Sequence, residues 1–175
     1  MPMLFIEPSE EYAERIRAYR KAFLDAGDSM DGTAGLIGFE DPFEWIEYCR
    51  AMKNETTVPS GLVPATQYIY VREEDGKIVG MLQLRHRLNG YLEKFGGHIG
   101  YSVAPGERRK GYASAMLRAA LEKCREMGIG RVLVTCFDTN EASRRTILKN
   151  GGVYESAVFE PDEKKHMERY WIDLP

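Results

Sequence analysis

The sequence predicts an α/β fold of the α+β kind, a mixed central sheet of about six to seven strands flanked by about four helices. Three observations predict it. Strand-like apolar runs alternate along the chain with segments of helical periodicity. Two of the strand-like runs meet at Glu74-Asp75-Gly76, a hairpin turn. A further run ends at Val103 and passes through Pro105 and Gly106 into an amphipathic helix, the strand-turn-helix step of α/β units.

Taken in order, Met3 to Ile6 reads as a short strand. Pro8 to Leu24 reads as a helix, with Ser9 as N-cap and Tyr12, Ile16, Tyr19 and Phe23 on one face. Asp25 to Glu40 carries Gly27, Gly32, Gly35 and Gly38, a density that predicts a mobile loop. Pro42 to Met52 is a helix with proline in its first turn. Gln67 to Arg72, Lys77 to Arg85 and Phe95 to Val103 read as strands. Gly111 to Met127 is a helix whose Ala113, Met116, Leu117, Ala120, Leu121 and Cys124 form an apolar face, ended by Gly128 and Gly130. Arg131 to Phe137 is a buried strand, and Asn140 to Asn150 a short helix closed by Gly151 and Gly152. Val153 to Phe159 and His166 to Leu174 close the chain as strands. There is no internal repeat.

Composition narrows the class. A chain of 175 residues with 43% hydrophobic and 29% charged residues has the balance of a water-soluble globular protein and is expected to form one domain, residues 1–175. No apolar run approaches the length of a membrane span, and Met1 to Glu11 lacks the pattern of a secretory signal. Cys49, Cys124 and Cys136 are scattered and odd in number, which predicts neither a disulfide framework nor a metal site and suits a reducing, cytoplasmic setting.

The chemistry concentrates between Val103 and Ala113. Arg108, Arg109 and Lys110 stand before Gly111, where the helix begins. Free amides at a helix start, the helix dipole and three cations together favour an anion. A Walker-type loop is excluded: Gly106 and Gly111 have its separation, but Tyr112-Ala113 stands where Lys-Ser/Thr is required. The three glycines of the dinucleotide fingerprint are absent too. What remains is Arg108-x-x-Gly111-x-Ala113, followed some thirty residues later by Asn140-Glu-Ala-Ser-Arg-Arg-Thr-Ile-Leu-Lys-Asn-Gly151. The first resembles the Arg/Gln-x-x-Gly-x-Gly/Ala signature of the GNAT superfamily of N-acetyltransferases. The second resembles that family's later Asn-x-x-Ala/Ser…Lys-x-Gly helix. The likeness is strongest from Gly97 to Gly152 and only architectural before Gln67.

The resemblance implies a GNAT fold and acetyl-CoA as cosubstrate, with no metal. It implies that the amides of Arg108, Arg109, Lys110, Gly111, Tyr112 and Ala113 bind the pyrophosphate. Ser102 and Val103 would pair with the pantetheine arm as an added strand does, and the Val103 N–H would be the oxyanion donor. Asn140, with Ser143 one helical turn on, would meet the pantetheine region. Arg108, Lys110, and Arg144 or Lys149 are candidates for the 3′-phosphate, the last two also reading as solvated helix charges.

The proton transfers are less legible. Many family members carry a tyrosine seven residues after the asparagine to protonate the leaving thiolate; here Ile147 stands there. A thiolate of ordinary thiol pKa, about 8.5, is a tolerable leaving group without an acid, and water or another tyrosine could serve. An alkyl amine of pKa about 10 is neutral in about one molecule in a thousand at pH 7, so a base would help. The strand residues Gly96 to Tyr101 hold no carboxylate, leaving His98 and Tyr101 as catalytic candidates, each with an ordinary packing role as its alternative.

Charge bears on partners. From Asp25 to Glu55 there are eight acidic residues against Arg50 and Lys53, which fits either a lid attracting a cationic amine or solvated helix faces. The net charge of −3 and the local nature of the basic cluster argue against nucleic acid. The expected partner is a small-molecule or peptide amine; a homodimer is compatible with the resemblance. The expected activity is acetyl transfer from the CoA thioester to a primary amine. The alternative from another class is a non-catalytic acyl-CoA-binding sensor that keeps the cradle, a reading that Ile147 favours.

Overall fold

The computed structural model describes all residues, Met1–Pro175. Its centre is a seven-stranded sheet, formed by β1 (Met3–Ile6), β2 (Ala65–Arg72), β3 (Lys77–Arg85), β4 (Ile99–Val103), β5 (Arg131–Phe137), β6 (Val153–Glu160) and β7 (Lys165–Asp173). The order is β1-β2-β3-β4-β5-β7-β6, antiparallel except where β4 meets β5. Helices α1 (Ala13–Ala26) and α2 (Pro42–Met52) pack on one face; α3 (Tyr112–Glu126) and α4 (Glu141–Lys149) on the other. This is the mixed sheet of the sequence reading, with the same element order.

Two apolar layers hold it. Ile16, Tyr19 and Phe23 of α1 join Trp45, Ile46 and Cys49 of α2 against Ile69, Val71, Ile78 and Met81. Met116, Leu117, Ala120, Leu121 and Cys124 of α3 pack on Val79, Leu82, Leu84, Val132 and Val134. Strands covered on both faces read as continuous apolar runs, as β2 and β3 do.

Three local expectations are corrected. Ser9 does not cap α1: its hydroxyl lies 3.5 Å from Glu11 Oε1, and Tyr12 N–H donates to its carbonyl, so a 3₁₀ turn at Glu10–Tyr12 precedes the helix. The strand before the anion turn starts at Ile99, not Phe95, because Leu92–Gly96 coils into a π-helical turn. Asn89 Oδ1 caps that turn at Leu92 N–H (2.9 Å), and Gly97 at φ 68° stops it.

The third correction concerns the glycine-rich segment, which is tied down rather than loose. Leu36 is buried in the α1/α2 core. Trp45 Nε1 donates to the Thr33 carbonyl (2.8 Å), and Gln67 Nε2 to the Gly32 carbonyl (2.8 Å). Gly32 is required for close approach: at φ 67°, a Cβ there would lie 2.3 Å from the Gly100 carbonyl oxygen of β4. Glycine here supplies backbone shape and contact, not mobility.

Gly32→Ala should therefore destabilise by at least about 3 kcal/mol, combining left-handed strain with a backbone clash. Gly35→Ala, at φ 72° with nothing within 4 Å of its added Cβ, should cost only about 1–2 kcal/mol. Thermal melts of the two variants check this; equal losses would mean the contact with β4 contributes nothing.

Candidate active site

β4 and β5 run parallel but share a single register pair, Ile99↔Val134. Beyond it they diverge. On its other side β4 is bonded to β3, where Arg85 N–H meets the His98 carbonyl (2.7 Å) and Ala104 N–H the Val79 carbonyl (2.9 Å). Strand alternation then turns the amides of Tyr101 and Val103 toward the gap. The gap widens into a cleft of about 710 Å³ between β4, the start of α3 and one face of α4.

The floor of the cleft is the turn into α3. Arg108 is extended, Arg109 left-handed at φ 65°, and Gly111 left-handed at φ 82°. Every backbone amide from Arg108 to Ser114 lacks an acceptor within the protein. A Cβ on Gly111 would meet nothing within 4 Å, so the glycine answers to its φ and to the open space above it. Unpaired amides converging at a helix start form an anion cradle.

Beneath the turn, Glu107 acts as an anchor. Its carboxylate accepts from Arg72 Nη1 (2.7 Å), Lys77 Nζ (2.8 Å) and Lys110 Nζ (2.8 Å). The Arg72 guanidinium first, then Lys110 and Lys77, hold this carboxyl well below the usual range. One predicted side-chain ligand, Lys110, is drawn into this cluster. The Lys110 side chain is held by Glu107, which itself lines the cleft, while Lys110 does not line it; its backbone amide stays unpaired. The Tyr112 hydroxyl lies 3.2 Å from Arg72 Nη1 and its ring edges against Tyr70, so it too contributes its amide.

Arg108 and Arg109 line the cleft. Arg108 spans it, with Nη1 2.9 Å from Asp28 and Nε 3.3 Å from the Val103 carbonyl. Arg144, a candidate for a phosphate, is spent on Glu168 (2.8 Å), Glu141 and the Asp138 carbonyl. Lys149 lines the cleft and forms no ion pair. Ser102 turns its hydroxyl to Tyr19 (2.9 Å) on the α1 side, and Tyr19 also donates to its carbonyl (3.1 Å). Asn140 caps α4, its Oδ1 accepting from Ser143 N–H (3.1 Å), which leaves its Nδ2 free beside the cleft.

The two catalytic candidates separate. His98 is buried outside the cleft, its Nδ1 accepting from Leu133 N–H (2.9 Å). Burial, then the nearby Arg85 charge, lowers its pKa to about 4. Its accepting nitrogen is occupied and its basicity lost, so it is a structural histidine. Tyr101 faces the cleft with its hydroxyl 2.7 Å from Ser143 Oγ. Burial pushes its pKa up to about 12, so it stays protonated at neutral pH. Ile147 is fully buried in the α3/α4 core and can supply no proton.

Residues the sequence reading passed over also line the cleft. Thr146 extends the Asn140, Ser143 series at helical spacing, a signal that could have found it. Asp31 could not be found that way. The loop carries it in beside Gly32, where burial raises its pKa, and Ser29 Oγ at 3.4 Å is its only side-chain partner.

Residues 32–151 match the model of the acetyltransferase (GNAT) family. The chain belongs to this acetyltransferase family. Among solved structures, it superposes on the microcin C7 self-immunity acetyltransferase MccE, in complex with acetyl-CoA and AMP, with a TM-score of 0.72 at 17% identity, covering 98% of this chain and 92% of that one. For RimJ of Mycobacterium smegmatis, in complex with CoA-disulfide, the TM-score is 0.71 at 20% identity, covering 98% and 81%. For RimL, the ribosomal L7/L12 alpha-N-protein acetyltransferase in complex with coenzyme A, it is 0.70 at 14%, covering 98% and 94%. No curated protein gave a significant match. No helix is long and apolar enough to cross a membrane.

Glu107→Gln should lower stability by about 1–3 kcal/mol at neutral pH, because cations gathered on one carboxylate lose it. The sign follows from a lowered folded pKa. The stabilisation is complete above the unfolded carboxyl value of about 4.3 and is lost progressively as pH falls through it. Denaturant melts at pH 7 and pH 3.5 check this; a wild-type advantage that grew on acidification would contradict it.

Proposed function

We propose that the protein is an acetyl-CoA-dependent N-acetyltransferase that transfers an acetyl group directly from the CoA thioester to a primary amine. The observation that carries this reading is the row of unpaired amides from Arg108 to Ser114, set a short turn away from the open edge of β4. The cradle suits a pyrophosphate, with Arg109 and Lys149 at hand for a further phosphate. The edge of β4 suits an amide-bearing arm, which would pair with it as a strand. Solved structures of the same fold carry acetyl-CoA or CoA, which supports this reading.

In this reading Val103 N–H donates to the thioester oxygen as the carbonyl becomes tetrahedral. The neutral amine forms the C–N bond, and the C–S bond breaks. Tyr101, protonated and held by Ser143, donates a hydrogen bond to the developing thiolate, which takes a proton from water and leaves as the thiol. The proton lost by the amine goes to Asp31, whose raised pKa keeps it a competent acceptor beside the cleft, and from there to water. Asp31 replaces His98 as base, and Tyr101 takes the part that Ile147 cannot.

The buried Ile147 is the one observation that favours a sensor that binds acyl-CoA without turnover. Thiol release from acetyl-CoA over an amine panel decides between the two: turnover with any amine eliminates the sensor, while a CoA-induced rise in melting temperature without turnover supports it. Tyr101→Phe should lower kcat by about 10–100-fold, the worth of one charge-assisted hydrogen bond. Its KM for acetyl-CoA should stay within about twofold; a matching rise in KM would make Tyr101 a binding residue instead. Gly111→Val should weaken CoA at least tenfold, read from the CoA-induced shift in melting temperature. An unchanged shift would place the pyrophosphate elsewhere.

A further inference from the structure

A second cavity, of about 410 Å³, opens on the α1/α2 face of the sheet, bounded by Tyr48 and Met52 of α2, Tyr91, Gln83 and Arg85. Its walls are mainly apolar and aromatic, and its one charged side chain is Arg85. Arg85 Nε donates to Gln83 Oε1 (3.1 Å) and Nη1 to the carbonyls of Gly96 (3.0 Å) and Gly97 (3.3 Å). These bonds fix the plane of the guanidinium. Nη2 has no acceptor in the protein, and Arg85 forms no ion pair. Asp31 attracts it only across a longer gap, and burial dominates, lowering its pKa to about 10. A guanidinium held in a fixed plane in a mainly apolar pocket, with one nitrogen free and no carboxylate in contact, is a ready anion site.

Its position ties it to the reaction. Nη2 lies 3.1 Å from where a Cβ on Gly100 would stand, and Gly32 Cα lies 3.5 Å from that point. Gly100 immediately precedes Tyr101 on β4. The loop that walls this cavity with Ala34 and Gly35 sends Asp31 into the first cleft. Arg85 and Asp31 therefore flank the same stretch of β4, a cation and an anion that attract each other without closing into an ion pair.

We propose that the acceptor is an amine that also carries a carboxylate, an amino acid or a close analogue. Arg85 takes the carboxylate, and the amine faces Asp31 and the open edge of β4. This rests on the transferase reading above and adds the acceptor class to it. It also revises the expectation of a cationic acceptor drawn by an acidic lid. Four of the eight acidic residues of that region are committed to ion pairs: Asp25 to Lys21, Asp28 to Arg108, Glu47 to Arg50 and Glu55 to Arg87. The apolar walls further favour an amino acid with an apolar or aromatic side chain.

The test uses matched acceptors that differ only in the anion: leucine and phenylalanine, their carboxamides, and 1,5-diaminopentane as the cationic control. CoA release is measured for the wild type, Arg85→Gln and Arg85→Lys. The wild type should use the acids with kcat/KM at least tenfold above the amides and the diamine. Arg85→Gln should abolish that preference while leaving the KM for acetyl-CoA and the rate with the amides within about threefold, and Arg85→Lys should restore part of it. A wild-type preference for amides or diamine, or an Arg85→Gln loss equal for all acceptors, overturns the proposal. Binding of N-acetyl-leucine and N-acetyl-leucinamide to the CoA-loaded protein by calorimetry separates this proposal from the transferase reading. Absent turnover with tighter binding of the acid sinks the transferase reading and keeps the Arg85 site. Turnover with no preference between acid and amide does the reverse.

Discussion

The feature on which the rest depends is the single register pair between β4 and β5. The other strand pairs share four or more register positions each, so their facing backbone groups are largely satisfied by one another. At this junction the strands meet at Ile99 and Val134 and then part. A parallel pair cannot close with a tight turn, so the chain crosses over through α3, and the crossover starts where the strands begin to diverge. One topological step thus creates an open strand edge and a helix N-terminus side by side. Both expose backbone donors, and backbone donors demand partners.

The cleft keeps its shape because its charges are anchored from behind. Arg72, Lys77 and Lys110 converge on Glu107 under the turn, so the most basic stretch of the sequence is not simply a field aimed at a ligand. The unpaired amides face the cleft from the turn, and Arg108, Arg109 and Lys149 line it beside them. The glycine-rich segment works on the same principle. Gly32 lies against β4 because it has no side chain, and that contact places Asp31 in the cleft and bounds the Arg85 cavity on its other side.

Much of the architecture was legible because it is local. Periodicity placed α1 to α4 to within a few residues at most termini, and the turn at Gly111 was identifiable from glycine and charge alone. The errors have a common cause. Lys110 and His98 are polar residues with several possible partners, and which partner wins depends on residues remote in sequence. Lys110 faces Glu107 because Arg72 and Lys77 have already brought that carboxylate under the turn. His98 had the right pKa range for a base until burial and the Leu133 amide took it away.

By itself, the sequence determined the element order, the two amphipathic layers and the location of the anion turn. Each follows from side-chain spacing or from what glycine and proline do to their own backbone. The tertiary structure alone decided which side chains share a space. Tyr101 meets Ser143 across forty-two positions in sequence, and Asp31 and Arg85 come to flank the same strand from separate segments. Local propensity cannot encode such meetings, because they are set by the register of β4 against β3 and by the one point at which it touches β5.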